Sequence, residues 1–572
     1  MGFERSWHRS YMPGVPREPD FERITMPEVL ARTAARFPDH TALLFMGKRI
    51  SYRELEAQVN RFARALNEIG VKPGDKVAML LPNMPQIVIA DYASFRIGAV
   101  TVMNNPLYTE RELAYQLNDS DATVLVTLDI LYPLAMSLKR KTGIRSVIFC
   151  HITDYLPFPG NKLLPYLKKE LYHRIPQEEG VHEFLPLLQR YPDTPVENAA
   201  RWEEVGALLY TGGTTGVSKG VMLTHANISC NTQQLRAWFP DAKDGEESML
   251  AVFPFFHAAG WTGMQNLSIL GGWTDILVPR PEPGVIIEIL KKWKPTILPG
   301  VPTIYIGLLA REEFRRMDLS SLKGFLAGAA PLPLEVIRKL KALKDGPVIN
   351  VYGLTEICPM GTATPWGGNE KPGTVGVPLP GTDLKIVDLE TGTRELPAGE
   401  AGEICFKGPQ VMKGYYKKPE ETEAVLKDGW LYTGDIGFLD ADGYLTIVDR
   451  KKDLIVASGF NIYPKEVDEV LYAHPKILEA CTIGVPDEYR GETVKAYVVL
   501  KPGEETTEAE IAEYCKKTLA PYKVPKIVEF IEELPKSAVG KVLRRELKEM
   551  DRKKREAEGN ESSPDPSNRS GE

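Results

Sequence analysis

The chain predicts an α/β fold. A large N-terminal domain would hold two α/β sheet subdomains and a small β subdomain, followed by a small α+β C-terminal domain. Three observations lead there. Short apolar runs alternate with helical patterns as far as residue 351, the rhythm of a mostly parallel sheet covered by helices. Beyond Pro378 the texture turns to short strands broken by glycine and proline, and after Arg450 a new helix, strand and helix series begins. At 572 residues the chain exceeds what one hydrophobic core usually organises. The expected boundaries are 1–449 for the N-terminal domain, 450–550 for the C-terminal domain and 551–572 for a charged, Ser/Pro-rich tail expected to be disordered.

The elements follow in order. Thr25-x-x-Glu28, Ser51-x-x-Glu54 and Thr109-x-x-Glu112 have the form of capping boxes, whose side chains satisfy backbone donors at a helix start. After the second, Leu55, Val59, Phe62, Leu66 and Ile69 recur at helical spacing, and Gly70 can close the helix. Strands are expected at 77–81, 99–103, 122–127 and 146–150, then at 250–253, 296–298, 325–327 and 348–351. One segment interrupts the rhythm. Tyr155-Leu156-Pro157-Phe158-Pro159 leads into an expected amphipathic helix over 161–175, with Leu163, Leu167, Leu171 and Ile175 on one face and Lys168, Lys169 and Arg174 elsewhere. Such a helix lies either in a membrane interface, or against its own domain or a partner subunit as in a homodimer. Further helices are expected at 464–472 and after Thr507-x-x-Glu510, with a strand at 496–500.

Composition narrows the function. The balance of 70 basic and 77 acidic residues, a formal charge of -7, offers no general attraction for nucleic acid. Six cysteines lie scattered without metal spacing or the density of a disulfide framework, which suits a reducing compartment. With no run of about 18 apolar residues to span a bilayer, the expected location is cytoplasmic, at the inner face of the membrane if 155–175 touches lipid.

The chemistry centres on Tyr210-Thr211-Gly212-Gly213-Thr214-Thr215-Gly216-Val217-Ser218-Lys219-Gly220, delivered by the apolar run Ala207-Leu208-Leu209. Its glycines let backbone N–H groups turn inward, and its hydroxyls add donors, which makes a cradle for phosphate oxygens. It is not the Walker loop, in which a hydroxyl residue follows the lysine; here Gly220 does. A flexible linker of small polar residues is the alternative. Ligands on parallel sheets sit at the carboxyl ends of strands, where the loops at 210, 328 and 352 fall.

Downstream stand Tyr352-Gly353-Leu354-Thr355-Glu356, Tyr432-Thr433-Gly434-Asp435, Asp449-Arg450-Lys451-Lys452-Asp453 and Pro535-Lys536-Ser537-Ala538-Val539-Gly540-Lys541. This series, spread over nearly the whole chain, resembles the adenylate-forming superfamily of acyl-CoA synthetases, luciferases and peptide-synthetase adenylation domains. Asn105-Pro106-Leu107-Tyr108 and Lys407-Gly408-Pro409-Gln410-Val411-Met412 resemble the bacterial long-chain fatty-acid CoA ligases in particular.

The resemblance implies an ATP-dependent long-chain fatty acyl-CoA synthetase, with fatty acid, ATP and CoA as partners and Mg²⁺ as cofactor. It implies that the loop with Thr211, Gly212, Gly213, Thr214, Thr215, Gly216 and Lys219 holds the leaving phosphates, and that Glu356 and the Thr211 hydroxyl bind Mg²⁺. Thr355 would meet the α-phosphate. Tyr352 would lie against adenine, with Gly353, Gly328 and Ala329 alongside. Asp435 would bind the ribose, Arg450 the ribose or a phosphate, and Lys541 both the carboxylate and the α-phosphate. Asp449-Arg450-Lys451 matches the hinge about which the family's mobile C-terminal domain rotates between half-reactions. Ser458, Gly459 and Phe460 would then line the pantetheine tunnel. Amino-acid-activating members carry an aspartate near Phe253-Pro254-Phe255-Phe256-His257-Ala258-Ala259-Gly260-Trp261, and none appears in this run. Phe256, His257 and Trp261 match the gate of an acyl tunnel, with Gly260 leaving space beside the indole; ordinary core aromatics are the alternative. Same-fold ligases for medium-chain or aryl acids, or ones loading a carrier protein, remain open, as does a non-catalytic acyl or nucleotide sensor. The presence of Lys541 and Glu356 counts against the sensor.

Overall fold

The computed structural model describes residues 5–211, 218–328, 330, 332–457, 460–487, 489–537 and 540–561. The chain divides into two compact units. One comprises Met1–Lys385, Cys405–Thr433 and Leu439–Thr446, the other Ile386–Ile404, Gly434–Phe438 and Ile447–Glu572.

In the larger unit one sheet has the spatial order Gly414–Tyr415, Lys219–Thr224, Val205–Thr211, Val100–Met103, Lys76–Leu80, Ala122–Leu128, Ser146–Cys150, Val181–Glu183. From Val205–Thr211 onward these strands are parallel, and Lys219–Thr224 runs antiparallel to both of its neighbours. Strands buried on both faces read as continuous apolar runs, and Val77, Ala78, Met79 and Leu80 have no exposed surface. A second sheet places Val348–Gly353, Gly324–Ala327, Ile297–Gly300, Ser248–Ala251, Thr274–Leu277 and Thr41–Phe45 side by side in parallel.

The capping boxes form as expected, at Met26–Arg36, Tyr52–Glu68 and Glu110–Asp119. In the second of these helices Leu55, Val59, Phe62 and Leu66 are fully buried, and Gly70 takes the positive φ that ends it. The strand expected at 250–253 stands at Ser248–Ala251. Asn83 accounts for the shift: its Nδ2 donates to the carbonyls of Ala251 and Phe253, each at 2.9 Å, and its Oδ1 accepts from Phe255 N at 2.8 Å. A side chain thereby takes over hydrogen bonds that a neighbouring strand would have made.

The expected helix over 161–175 is shorter. It spans Gly160–Leu167, and a single 3₁₀ turn follows at Lys169–Leu171. The common face is broken because Ile175 packs into the core with Leu138 and Phe149, and His173 N donates to the buried Asp129 carboxylate at 2.7 Å. Those contacts draw the chain off the helical path. Phe158, Tyr166 and Leu167 are left 82 %, 80 % and 75 % exposed, with Leu163 half exposed.

In the smaller unit the strands Phe460–Ile462, Ile455–Ala457, Gly491–Leu500 and Ile477–Asp487 lie in that order, with Ile527–Phe530 parallel to Gly491–Leu500. The helices Pro464–Tyr472 and Glu508–Lys516 pack Val467, Leu471 and Ile511 against it. The tail expected to be disordered from Asp551 departs from that reading over its first part, since the last helix runs Arg544–Glu561. Buried Lys495 bridges Asp551 Oδ1 and Glu529 Oε2, both at 2.7 Å, and Arg552–Glu556 and Arg555–Asp551 pairs one turn apart support the helix. Residues 562–572 lie outside the described residues.

Candidate active site

In the larger unit the glycine-rich connection joins two antiparallel strands, Val205–Thr211 and Lys219–Thr224, with Thr211 opposite Lys219. Gly212, Gly213, Thr214, Thr215 and Gly216 lie outside the described residues, and the stems of the connection are anchored on either side. Tyr210 Oη donates to Asp119 Oδ2 at 2.7 Å, and Gln116 Nε2 donates to Ser218 Oγ at 3.2 Å. Lys219 Nζ stands 4.9 Å from the centre of the Tyr415 ring. Tyr415 Oη donates to Glu356 Oε1 at 2.9 Å, and Met412 N donates to the Glu356 carbonyl at 2.8 Å. Burial, and next Glu356, push the Tyr415 hydroxyl well above the usual phenol range, so it keeps its proton as donor.

Two sequence-predicted residues, Lys219 and Glu356, thus meet through a third that the sequence reading missed. Its only signal was position, a Gly-Tyr pair just after the 407–412 phrase.

Glu356 and Thr355 lie on a single turn, Thr355–Ile357, that follows the carboxyl end of Val348–Gly353. A Cβ on Gly353 would run into the carbonyl of Pro359, so this glycine permits a close backbone approach, and one on Gly328 would stand 2.7 Å from the Val351 Cγ2 methyl, so that glycine leaves room for a side chain. Tyr352 is half-buried, its ring 6.0 Å from that of Phe406 at 33°. Ala329 lies outside the described residues. Among the described residues no cluster of His, Cys, Asp and Glu could by itself hold a metal ion. Glu356 and the Thr211 hydroxyl are hard oxygen donors that fit Mg²⁺, which commonly binds one or two carboxylates together with substrate phosphates.

The helix behind the hairpin, His225–Ala237, is buried on most sides although it is largely polar. Its side chains satisfy carbonyls of distant segments: Asn227 donates to Pro409 and Val411 at 2.8 and 2.9 Å, Asn231 to Met360 at 2.9 Å and Gln234 to Pro380 at 2.8 Å. Burying these amides is tolerated because each is hydrogen-bonded.

Phe256 and His257 are half-buried, and His257 Nδ1 accepts from Ala259 N at 3.2 Å. Trp261 has no exposed surface. Its Nε1 donates to Asp91 Oδ2 at 2.6 Å, and the same carboxylate accepts from Gln265 Nε2 at 2.6 Å and Thr101 Oγ1 at 2.9 Å. Burial raises Asp91 to about 6, against the pull of those donors. Gly260 does not serve to leave space beside the indole: a Cβ there would strike the carbonyls of Phe253 and Pro254, so it is the backbone approach that requires glycine.

In the smaller unit Arg450 Nε pairs with Asp435 Oδ1 at 3.1 Å. Lys541 lies in their field. Burial, and next Arg450, push its ammonium down to about 8, while Asp435 acts in the opposite sense. Ser537 N donates to the Lys541 carbonyl at 2.8 Å, and Lys541 N donates to Ser537 Oγ at 3.2 Å. Asp449 is buried and accepts from Arg450 N at 2.8 Å and Lys465 N at 2.9 Å. Asp435 and Arg450 are therefore paired, and both act on the charge of Lys541. Ser458 and Gly459 lie outside the described residues, and Phe460 opens the strand Phe460–Ile462.

The chain is similar to known proteins over most of its length. Residues 30–416 match the model of the AMP-binding enzyme family, and residues 466–541 match the AMP-binding enzyme C-terminal domain. The chain is 46 % identical to a long-chain-fatty-acid–CoA ligase of Bacillus subtilis, over 96 % of this chain and 98 % of that one. It is 37 % identical to an Escherichia coli protein of the same name, again over 96 % and 98 %. Among solved structures, ATP-bound MatB from Rhodopseudomonas palustris matches with a TM-score of 0.80 at 30 % identity, covering 92 % of this chain and 99 % of that one. The anthranilate CoA ligase AuaEII with anthranoyl-AMP matches with a TM-score of 0.83 at 27 % identity, covering 94 % and 99 %.

The depressed Lys541 is directly measurable. Its charge is present below about pH 8 and is lost as pH rises through that value. Competitive acylation across pH, read residue by residue by mass spectrometry, is expected to give Lys541 a midpoint near 8. A midpoint at the ordinary lysine value of about 10.4 would contradict the burial argument.

Proposed function

We propose that this chain, which belongs to the AMP-binding enzyme family, is an ATP-dependent ligase that joins a long-chain fatty acid to coenzyme A. The observation that carries the reading is the convergence of Lys219, Tyr415 and Glu356 at the root of the 212–217 connection, in a chain whose relatives bear that name over nearly their full length.

A carboxylate oxygen is a poor leaving group, so the acid must be activated. Its oxygen attacks the α-phosphorus of ATP, pyrophosphate departs, and an acyl-adenylate forms; the thiol of coenzyme A then attacks the acyl carbon and releases AMP. In the first step negative charge on the phosphate oxygens has to meet fixed donors and cations. Lys219, Thr211 and the 212–216 backbone hold the leaving phosphates, Thr355 the α-phosphate, and Tyr352 with Gly328, Ala329 and Gly353 flanks the adenine. Glu356 and Thr211 would hold Mg²⁺, which would supply positive charge to the phosphate oxygens. Asp435 and Arg450 grip the ribose. Lys541, a compact charge on a long stem, stabilises the transition state rather than removing a proton.

Asp449-Arg450-Lys451 is the hinge between a domain of 1–449 and one of 450–550, and the pantetheine tunnel is assigned to Ser458, Gly459 and Phe460. The acid enters past Phe256 and His257, where a long chain gains about 0.8 kcal/mol per buried methylene, whereas the fully buried Trp261 belongs to the core.

Contact with an anionic lipid surface completes the reading. Phe158, Tyr166 and Leu167 stand exposed with Lys162 and Lys168 beside them, a combination that suits insertion next to negative headgroups. Among the described residues no helix is long and apolar enough to cross a membrane, so the contact is peripheral.

Three measurements test these assignments. Pyrophosphate release with Mg-ATP, coenzyme A and acids from acetate to stearate should rise with chain length, with amino acids and cinnamate inactive. Activity confined to acetate or cinnamate would sink the substrate assignment. Lys541→Ala should lower adenylate formation about a hundredfold or more while sparing thioester formation from supplied acyl-adenylate; equal loss of both steps would defeat the role given to it. Phosphatidylcholine vesicles containing phosphatidylglycerol should retain the protein and lose it with Phe158→Ser/Leu167→Ser. A dimer in sedimentation that the same variant dissolves would assign this face to a second copy instead.

A further inference from the structure

We infer that Tyr415 is a positioning residue of the adenylation site, one side chain that sets both the carboxylate of Glu356 and the ammonium of Lys219. The inference rests on the proposal above that Glu356 meets the metal and Lys219 the leaving phosphates.

Tyr415 is well placed to impose geometry because its own placement does not depend on either partner. It lies in the strand Gly414–Tyr415, opposite Val221 of Lys219–Thr224, and is almost fully buried. Its main-chain N donates to Thr422 Oγ1 at 2.9 Å, and that hydroxyl donates to the Lys418 carbonyl at 2.8 Å. From this held backbone the phenol reaches Glu356 Oε1 at 2.9 Å, and the ring face receives Lys219 Nζ at 4.9 Å. The turn carrying Glu356 is tied to the same segment a second time, by Met412 N on the Glu356 carbonyl at 2.8 Å.

The two contacts use different parts of the side chain. A hydrogen bond to a carboxylate needs the hydroxyl and is among the stronger kinds in proteins. Attraction of an ammonium needs only the ring face. Removing the hydroxyl alone should therefore disturb the metal side, and removing the ring should disturb the phosphate side as well. A lysine left to rotate on its flexible stem and a carboxylate left to reorient would both have to be ordered when nucleotide arrives, and that ordering opposes binding.

The test separates these effects. Mn²⁺ binding in the presence of α,β-methylene-ATP is measured by electron paramagnetic resonance, beside the Mg²⁺ concentration that gives half-maximal pyrophosphate release. Tyr415→Phe is expected to weaken Mn²⁺ binding and raise the Mg²⁺ requirement about tenfold, the scale of a hydrogen bond to a charged group, with KM for the fatty acid unchanged. In a Glu356→Gln background the same substitution should add almost nothing. Tyr415→Leu should in addition weaken metal-free binding of the analogue about threefold, an effect absent when Lys219→Ala is already present. Tyr416→Phe is the structural control. It removes the neighbouring hydroxyl, which donates to Asp121 Oδ2 at 2.9 Å, and is expected to leave the Mn²⁺ affinity unaltered.

Unchanged Mn²⁺ binding in Tyr415→Phe, an equal loss in the Glu356→Gln background, or a matching loss in Tyr416→Phe overturns the inference. A parent protein that binds Mn²⁺ and analogue with such a result loses only this inference. A parent that binds no nucleotide loses the proposed function with it.

Discussion

Two strands buried inside a protein have to find a partner for every backbone group they carry. The strands Val205–Thr211 and Lys219–Thr224 are in that position, with Ala207, Leu208, Leu209, Val221 and Leu223 buried between Val100–Met103 on one side and Gly414–Tyr415 on the other. The glycine-rich connection leaves from the carboxyl end of a parallel strand, the edge at which open α/β sheets take their ligands. Because both stems are held in a sheet, the residues at its root stand at fixed places. Lys219 can meet Tyr415, and Tyr415 can meet Glu356, only because that register is set.

Much of what surrounds this edge is polar and buried. Asn83 pins the 251–255 segment, and Asn227, Asn231 and Gln234 hold carbonyls of distant segments from the buried side of one helix. Asp91 collects Trp261, Gln265 and Thr101. A buried polar group left without its partner costs on the order of 1–3 kcal/mol, so each of these side chains couples the loop it holds to the stability of the core. Loops that would otherwise be the softest part of the fold are thereby set against a rigid frame, which is what positioning of a reacting group demands.

The smaller unit handles charge in another way. Arg450 and Asp435 pair, and Lys541 lies in their field with its ammonium made easier to deprotonate by burial and by Arg450. A lysine so placed gains most from an anion, since a phosphate or carboxylate offsets both the burial and the neighbouring guanidinium. That suits a residue proposed to act on a transition state whose charge is accumulating.

The sequence by itself determined the α/β class, the positions of most strands, and the helix starts at Thr25, Ser51, Thr109 and Thr507, because apolar periodicity and capping chemistry are local properties of the chain. It also carried the motif residues Lys219, Glu356, Asp435, Arg450 and Lys541, which lie in ordered phrases. Only the tertiary structure decided that Tyr415 joins Lys219 to Glu356, that Asn83 ends a strand, that a polar helix is buried, that Gly260 serves a backbone approach, and that the pattern over 161–175 breaks when Ile175 enters the core. Each of these depends on a partner distant in the chain. An amide, a glycine or a tyrosine reads the same in sequence whether it faces water or a buried carbonyl, and its energy differs by which of the two it meets.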